Sequence, residues 1–156
     1  MSSEADTNTG EDIKVPNFAV IVHRIGIARP TEQAWSTIGN YADAGKFLKV
    51  ASRLLSGGGD VGSVRLVGDT IVEVMVGRGP TSYTYVQTKG PMAAAAYHGS
   101  VSLEPAGADR STLIYTVSYD TAGMDAVRRD QDFNRLTARF QGMVEAMKEV
   151  AEAAPA

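Results

Sequence analysis

The hydrophobic pattern of this chain changes period once, and that change limits the folds open to it. From residue 50 to residue 120 the sequence breaks into short segments rich in β-branched and aromatic residues: 50–56, 63–67, 70–77, 82–89, 96–104 and 112–120. Turn residues separate them, among them Gly57-Gly58-Gly59-Asp60, Gly68-Asp69, Gly77-Arg78-Gly79-Pro80, Gly90-Pro91 and Pro105-Ala106-Gly107. No helical pattern intervenes, so these segments predict an antiparallel meander. Beyond residue 124 the period becomes helical. Phe133, Leu136, Phe140, Met143, Met147 and Val150 recur at intervals of 3, 4, 3, 4 and 3, one stripe of a long amphipathic helix over 124–152.

Upstream, residues 18–28 read as a first strand. Pro30-Thr31-Glu32 then opens a short helix bearing Trp35 and Ile38, and a second short helical piece, about 41–48, groups Tyr41, Phe47 and Leu48. The order is therefore strand, two short helices, six strands, long helix. The fold class expected is α+β: a seven-stranded curved antiparallel sheet wrapped around the long C-terminal helix, with an internal cavity between them. A chain of 156 residues supports one such core. The domain is expected over 16–152, with a disordered leader over 1–15 and a short disordered tail over 153–156. The leader has no apolar core of a secretory signal, and the run Phe18–Val22 is too short to cross a bilayer, so a cytoplasmic protein with no membrane span is expected.

Composition narrows the chemistry. With no cysteine there is no disulfide framework, thiolate nucleophile or iron–sulfur cluster. Two histidines cannot make a three-histidine zinc site, although two with a carboxylate can formally hold zinc; the expectation is no metal and no cofactor. A net charge of −3 with no basic stripe argues against nucleic acid. Gly57–Gly62 has the spacing G-x-G-x-x-G, but a strand follows it rather than the helix that a dinucleotide site needs, so it reads as a turn. Phosphate-loop, HExxH and nucleophile-elbow motifs are absent.

Several residues carry a family resemblance. Ala34-Trp35 follows the first strand; Gly62-Ser63-Val64-Arg65 is followed by Glu73 in the next strand; then come Tyr83-Thr84-Tyr85, Tyr97-His98-Gly99-Ser100-Val101 and the long helix. Over about residues 18–150 the sequence resembles the SRPBCC superfamily, in its polyketide cyclase/dehydrase-like branch. That superfamily includes START lipid-transfer domains, birch-pollen-allergen-like proteins and plant abscisic-acid receptors. The resemblance implies a helix-grip fold, and it leaves carrier, receptor and enzyme open. By analogy with the abscisic-acid receptors it also implies that Lys49, Glu73 and Tyr97 face the cavity. The turn Gly68-Asp69 is too short to be the receptors' gate loop, which argues against a hormone receptor.

Strand alternation extends that set. If Glu73 faces inward, Ile71 and Met75 do too; Tyr83 and Tyr85 share a face, as do Tyr115, Val117 and Tyr119. His23 shares phase with Ile21, Ile25 and Ile27 and is the histidine expected inside; His98, next to Tyr97, is expected outside. Arg65 is expected in a sheet-face salt bridge, Trp35 as a core anchor, and Gly142 at a close helix–sheet approach or beside extra cavity room. The candidate catalytic residues are Glu73, Lys49 and Tyr97; the candidate ligand contacts are Tyr83, Tyr85, Tyr115, Tyr119, His23, Met75 and Phe140. Such a set suits proton transfer on a hydrophobic aromatic or polyketide-like molecule, in a cyclase, dehydratase, isomerase or lyase. The alternative is a module that binds or carries a hydrophobic small molecule or lipid without chemistry. Lys49 and Glu73 would then be a buried structural ion pair. Under either reading a homodimer is the oligomer expected. A third reading is a helper subunit whose cavity is plugged by tyrosines.

Overall fold

A computed structural model describes residues 13–155. Seven strands form one antiparallel sheet: β1 (Phe18–Ile27), β2 (Ser52–Ser56), β3 (Val64–Val67), β4 (Ile71–Gly79), β5 (Ser82–Lys89), β6 (His98–Pro105) and β7 (Ser111–Asp120). Their order is β1-β7-β6-β5-β4-β3-β2. Every strand after β1 pairs with its sequence neighbour, because each connection is short enough only for a hairpin. The exception is β1, which crosses to β7 and pairs along its whole length, from Phe18 opposite Asp120 to Ile27 opposite Ser111. The register of β4 on β5 shifts between Val72 and Glu73 and again between Met75 and Gly77, irregularities that bend a strand and add twist.

Helix α1 (Thr31–Ile38) buries Ala34 and Ile38, and a 3₁₀ stretch (Tyr41–Phe47) buries Tyr41, Ala44 and Phe47. Gly39 after α1 has no room for a Cβ, because the Trp35 indole lies over it. The long helix α2 (Ala126–Ala153) starts where the Asp125 carboxylate accepts the Arg128 N–H at 2.8 Å. Its buried stripe is Leu136, Phe140, Met143, Val144, Met147 and Ala151, set into the sheet's inner face. The C-terminal end is tied down: Ala28 N–H donates to Glu152 Oε2 at 2.7 Å, Lys148 Nζ donates to the Gly26 carbonyl at 2.8 Å, and Arg29 donates to the Glu152 carbonyl.

The seven strands, two short helical pieces and long helix follow the sequence reading; three details differ. Phe133 is 43% exposed, one turn before the buried stripe begins, at a hollow also lined by Phe18, Ala19 and Tyr119. Gly142 faces solvent with nothing near where a Cβ would be, so neither close packing nor cavity room accounts for it. The helix continues through Ala153, the first residue of the expected tail. Residues 1–12 of the expected leader, and Ala156, lie outside the described residues.

Candidate functional site

The pocket lies between the inner face of the sheet and the N-terminal half of α2. Its floor begins with a cross-strand pair. The hairpin between β3 and β4 places Arg65 directly opposite Glu73, both pointing inward, where opposed side chains on one face must meet. Arg65 is 1% exposed and Glu73 6%. Arg65 Nε and Nη2 both donate to Glu73 Oε1, at 2.9 and 2.8 Å. Nη1 donates to the Tyr41 carbonyl at 3.1 Å and the Tyr83 hydroxyl at 3.3 Å. The guanidinium carbon also sits 4.0 Å from the centre of the Tyr41 ring and 4.6 Å from that of Tyr85.

Three hydroxyls meet beside this pair. Tyr85 Oη lies 2.6 Å from Tyr115 Oη and 3.2 Å from Tyr97 Oη. The strands explain the meeting: Tyr85 on β5 stands opposite Gly99 on β6, and its ring fills the space a Cβ there would need. Ala96, just before Tyr97, holds a left-handed backbone with φ of 51°, which costs a non-glycine residue free energy and fixes how Tyr97 enters β6. Above the trio, Phe140 of α2 packs on Tyr115 at 5.0 Å and stacks on Tyr97 at 6.4 Å between ring centres.

The cavity volume is about 50 Å³. Arg65, Glu73, Tyr85, Tyr97 and Tyr115 line its buried floor; Pro91, Arg135 and Arg139, all exposed, line its rim. Such a volume holds a few waters and admits a ring only if the lining yields. Burial pushes the Glu73 carboxyl above its ordinary 4.5, with Arg65 pulling against that shift. Burial also pushes the Tyr85, Tyr97 and Tyr115 hydroxyls up, so all three stay neutral donors. For Arg65, burial works against the charge, but Tyr83 and Glu73 beside it outweigh burial and keep it a cation.

The structure thus gathers Glu73, Tyr85, Tyr97, Tyr115 and Phe140 of the candidate residues into one pocket. Lys49 is corrected: it is exposed, because a left-handed turn of its backbone (φ 58°) just after the 3₁₀ stretch carries its side chain outward. Its expected place against Glu73 is held by Arg65. Tyr83 is inward but buttresses Arg65 instead of lining the cavity, and Met75 is buried opposite Tyr85 without reaching it. His23 faces in, but its Nε2 donates to the Thr137 carbonyl at 3.0 Å, pinning β1 to α2. Tyr119 lies at the hollow on the far side, its buried hydroxyl unpartnered among the described residues. His98 is on the outer face, as its phase requires.

Gln87 and Tyr41 are the site residues that sequence reasoning passed over, whereas the salt bridge expected of Arg65 is the one it makes to Glu73. The tight turn at Gly68-Asp69 makes 65 and 73 register partners, so an inward Glu73 brings Arg65 inward with it.

The sequence model of one family, described as polyketide cyclase/dehydrase and lipid transport, matches residues 19–152. The chain belongs to that family. Solved structures show how widely its fold extends. The protein XoxI from Bacillus cereus superposes with a TM-score of 0.70 at 20% identity, over 84% of this chain and 94% of that one. Ara h 8.0201 gives 0.69 at 16%, over 88% and 100%. Norcoclaurine synthase from Thalictrum flavum, in complex with dopamine and hydroxybenzaldehyde, gives 0.64 at 16%, over 90% and 91%. Identities this low establish the helix-grip fold alone. No curated protein matches the sequence. The family membership and the fold make this a hydrophobic ligand-binding architecture, and no helix among the described residues is long and apolar enough to cross a membrane.

Proposed function

We propose that the chain binds a small aromatic or polyketide-like molecule bearing a carbonyl or phenolic oxygen, and that Glu73 moves a proton on it. The observation carrying this reading is the hydroxyl trio. Three hydroxyls own three protons, and their two mutual hydrogen bonds use two, which leaves one to donate to a ligand oxygen. A carbonyl held there would place its neighbouring C–H within the same pocket as the Glu73 carboxylate. As Glu73 takes that proton, negative charge grows on the oxygen, and the tyrosine donor and the Arg65 cation both stabilise it. The same proton shift serves cyclisation, dehydration, isomerisation or retro-aldol cleavage. That a protein of this fold is described with dopamine and hydroxybenzaldehyde supports an oxygenated aromatic ligand.

A carrier without chemistry is the second reading. The double hydrogen bond from Arg65 restrains Glu73, and about 50 Å³ of cavity leaves little room for a reacting complex. Deuterium uptake next to the carbonyl of phenylacetone in D₂O, followed by NMR, separates the two. The expected result is exchange above the buffer rate that falls about 10²-fold or more in Glu73→Gln, while 2-naphthol binding by fluorescence persists in that variant. Binding by the wild-type chain with no exchange overturns the catalytic reading and leaves the carrier.

A further inference from the structure

The rim of the pocket carries a charge opposite to that of the chain as a whole, whose net charge is −3. On the floor, Arg65 and Glu73 cancel. At the rim, Arg135 and Arg139 project from successive turns of α2, and both line the cavity. Arg135 Nη2 lies 3.4 Å from Asp132 Oδ1 and 3.9 Å from Met92 Sδ, so it reaches from the helix to the β5–β6 loop across the opening. Asp132 is shared, since Arg128 Nε lies 3.4 Å from its other oxygen. Arg139 makes no hydrogen bond or ion pair among the described residues. One carboxylate therefore faces three guanidinium groups along this side of the helix. The remaining nearby pair, Arg129 and Asp130, lines the hollow on the far side and leaves that balance unchanged.

A solvated arginine on a helix is ordinary. This one stands beside Leu136 and Phe140, the apolar wall of the pocket, and the pocket's own acid is already committed to Arg65. An incoming anion is then the partner that the rim lacks. Resting on the binding reading above, we propose that the ligand is an acid: a carboxylate or comparable oxyanion at its outer end meets Arg139, with Arg135 swinging off Asp132 to assist. Its apolar body lies against Leu136, Phe140 and Met92, and an inner oxygen reaches the tyrosine trio. The planar guanidinium fork matches a carboxylate with two parallel hydrogen bonds, and the apolar wall beside it strengthens them.

A matched pair of probes tests this on the full chain: 2-naphthoate and its neutral methyl ester, titrated by fluorescence against wild type and Arg139→Gln at low and high salt. The expected result is naphthoate binding about tenfold more tightly than the ester, a margin in the range of one charge-assisted contact. Arg139→Gln should remove most of that margin while leaving ester affinity within about twofold, and added salt should narrow it. Equal binding of the two probes by wild type overturns the proposal while the pocket reading stands. So does an equal loss for both probes in Arg139→Gln, which marks a packing role. Failure of both probes to bind overturns the pocket reading and this proposal together.

Discussion

The two ends of the space between α2 and the sheet are built from different chemistry. Where α2 meets β1, β7 and α1, the interior is aliphatic: Ile21, Ile27, Ile38, Leu113, Val117, Val144 and Met147 fill it. Where the helix passes over β3 to β6, the interior is an ion pair, a tyrosine trio and a glutamine around a cavity. The aliphatic end is what a chain of this size needs for stability, since close-packed apolar burial is the main favourable term. The polar end costs desolvation and is held together by hydrogen bonds that each demand a particular partner. A fold under selection for stability alone has no use for that second end. The contrast is what the proposed function rests on.

Breaking the polar end should be the costliest change. Arg65→Met leaves the Glu73 carboxyl buried without its cation, and a loss of about 3–5 kcal/mol is expected in chemical denaturation. Arg65→Met combined with Glu73→Leu should recover most of it, because the orphaned charge is gone. At the aliphatic end, Met147→Ala should cost about 2–5 kcal/mol with no change in probe affinity, a loss that no second substitution of a charge repairs.

The pH dependence sharpens the same contrast. Burial raises the Glu73 carboxyl in the folded chain, so folding favours its neutral form. The stability this gives is full below the ordinary value of 4.5 and is lost as pH rises through the folded value. Wild type should therefore lose stability relative to Glu73→Gln as pH is raised from about 4.5, measured by urea melts at a series of pH values. The deficit of Met147→Ala should stay constant across the same range. The smallest effect belongs to neither end: Gly142→Ala on the exposed face of α2 should stabilise by about 1 kcal/mol and leave ligand binding untouched.

The sequence made the aliphatic end easier to read than the polar one. Strand period, turn residues and the helix stripe report burial of apolar groups, and they located all seven strands and the long helix. The family resemblance pointed to Glu73 and Tyr97, and alternation gave the faces that Tyr85 shares with Tyr83 and Tyr115 with Tyr119. Arg65 was legible as a sheet-face salt bridge, but its partner Glu73 and its place on the pocket floor follow from strand register, which the pattern of one segment does not report. Lys49 failed for another reason. One left-handed residue at the end of a 3₁₀ stretch decides where its side chain goes, and no periodic pattern reports a single dihedral. Tyr119 shares the inward phase of Tyr115, but four residues along a strand carry it out of the cavity and to a different hollow.

The central claim is that a ligand enters the polar end and meets the linked hydroxyls. The most direct measurement labels the tyrosine ring carbons with ¹³C and follows all six tyrosines by NMR while 2-naphthol is added. Resonances of Tyr85, Tyr97 and Tyr115 should move together and saturate with one affinity, while Tyr119, at the far hollow, stays in place. Movement centred on Tyr119, or no saturable movement among the trio, would contradict it.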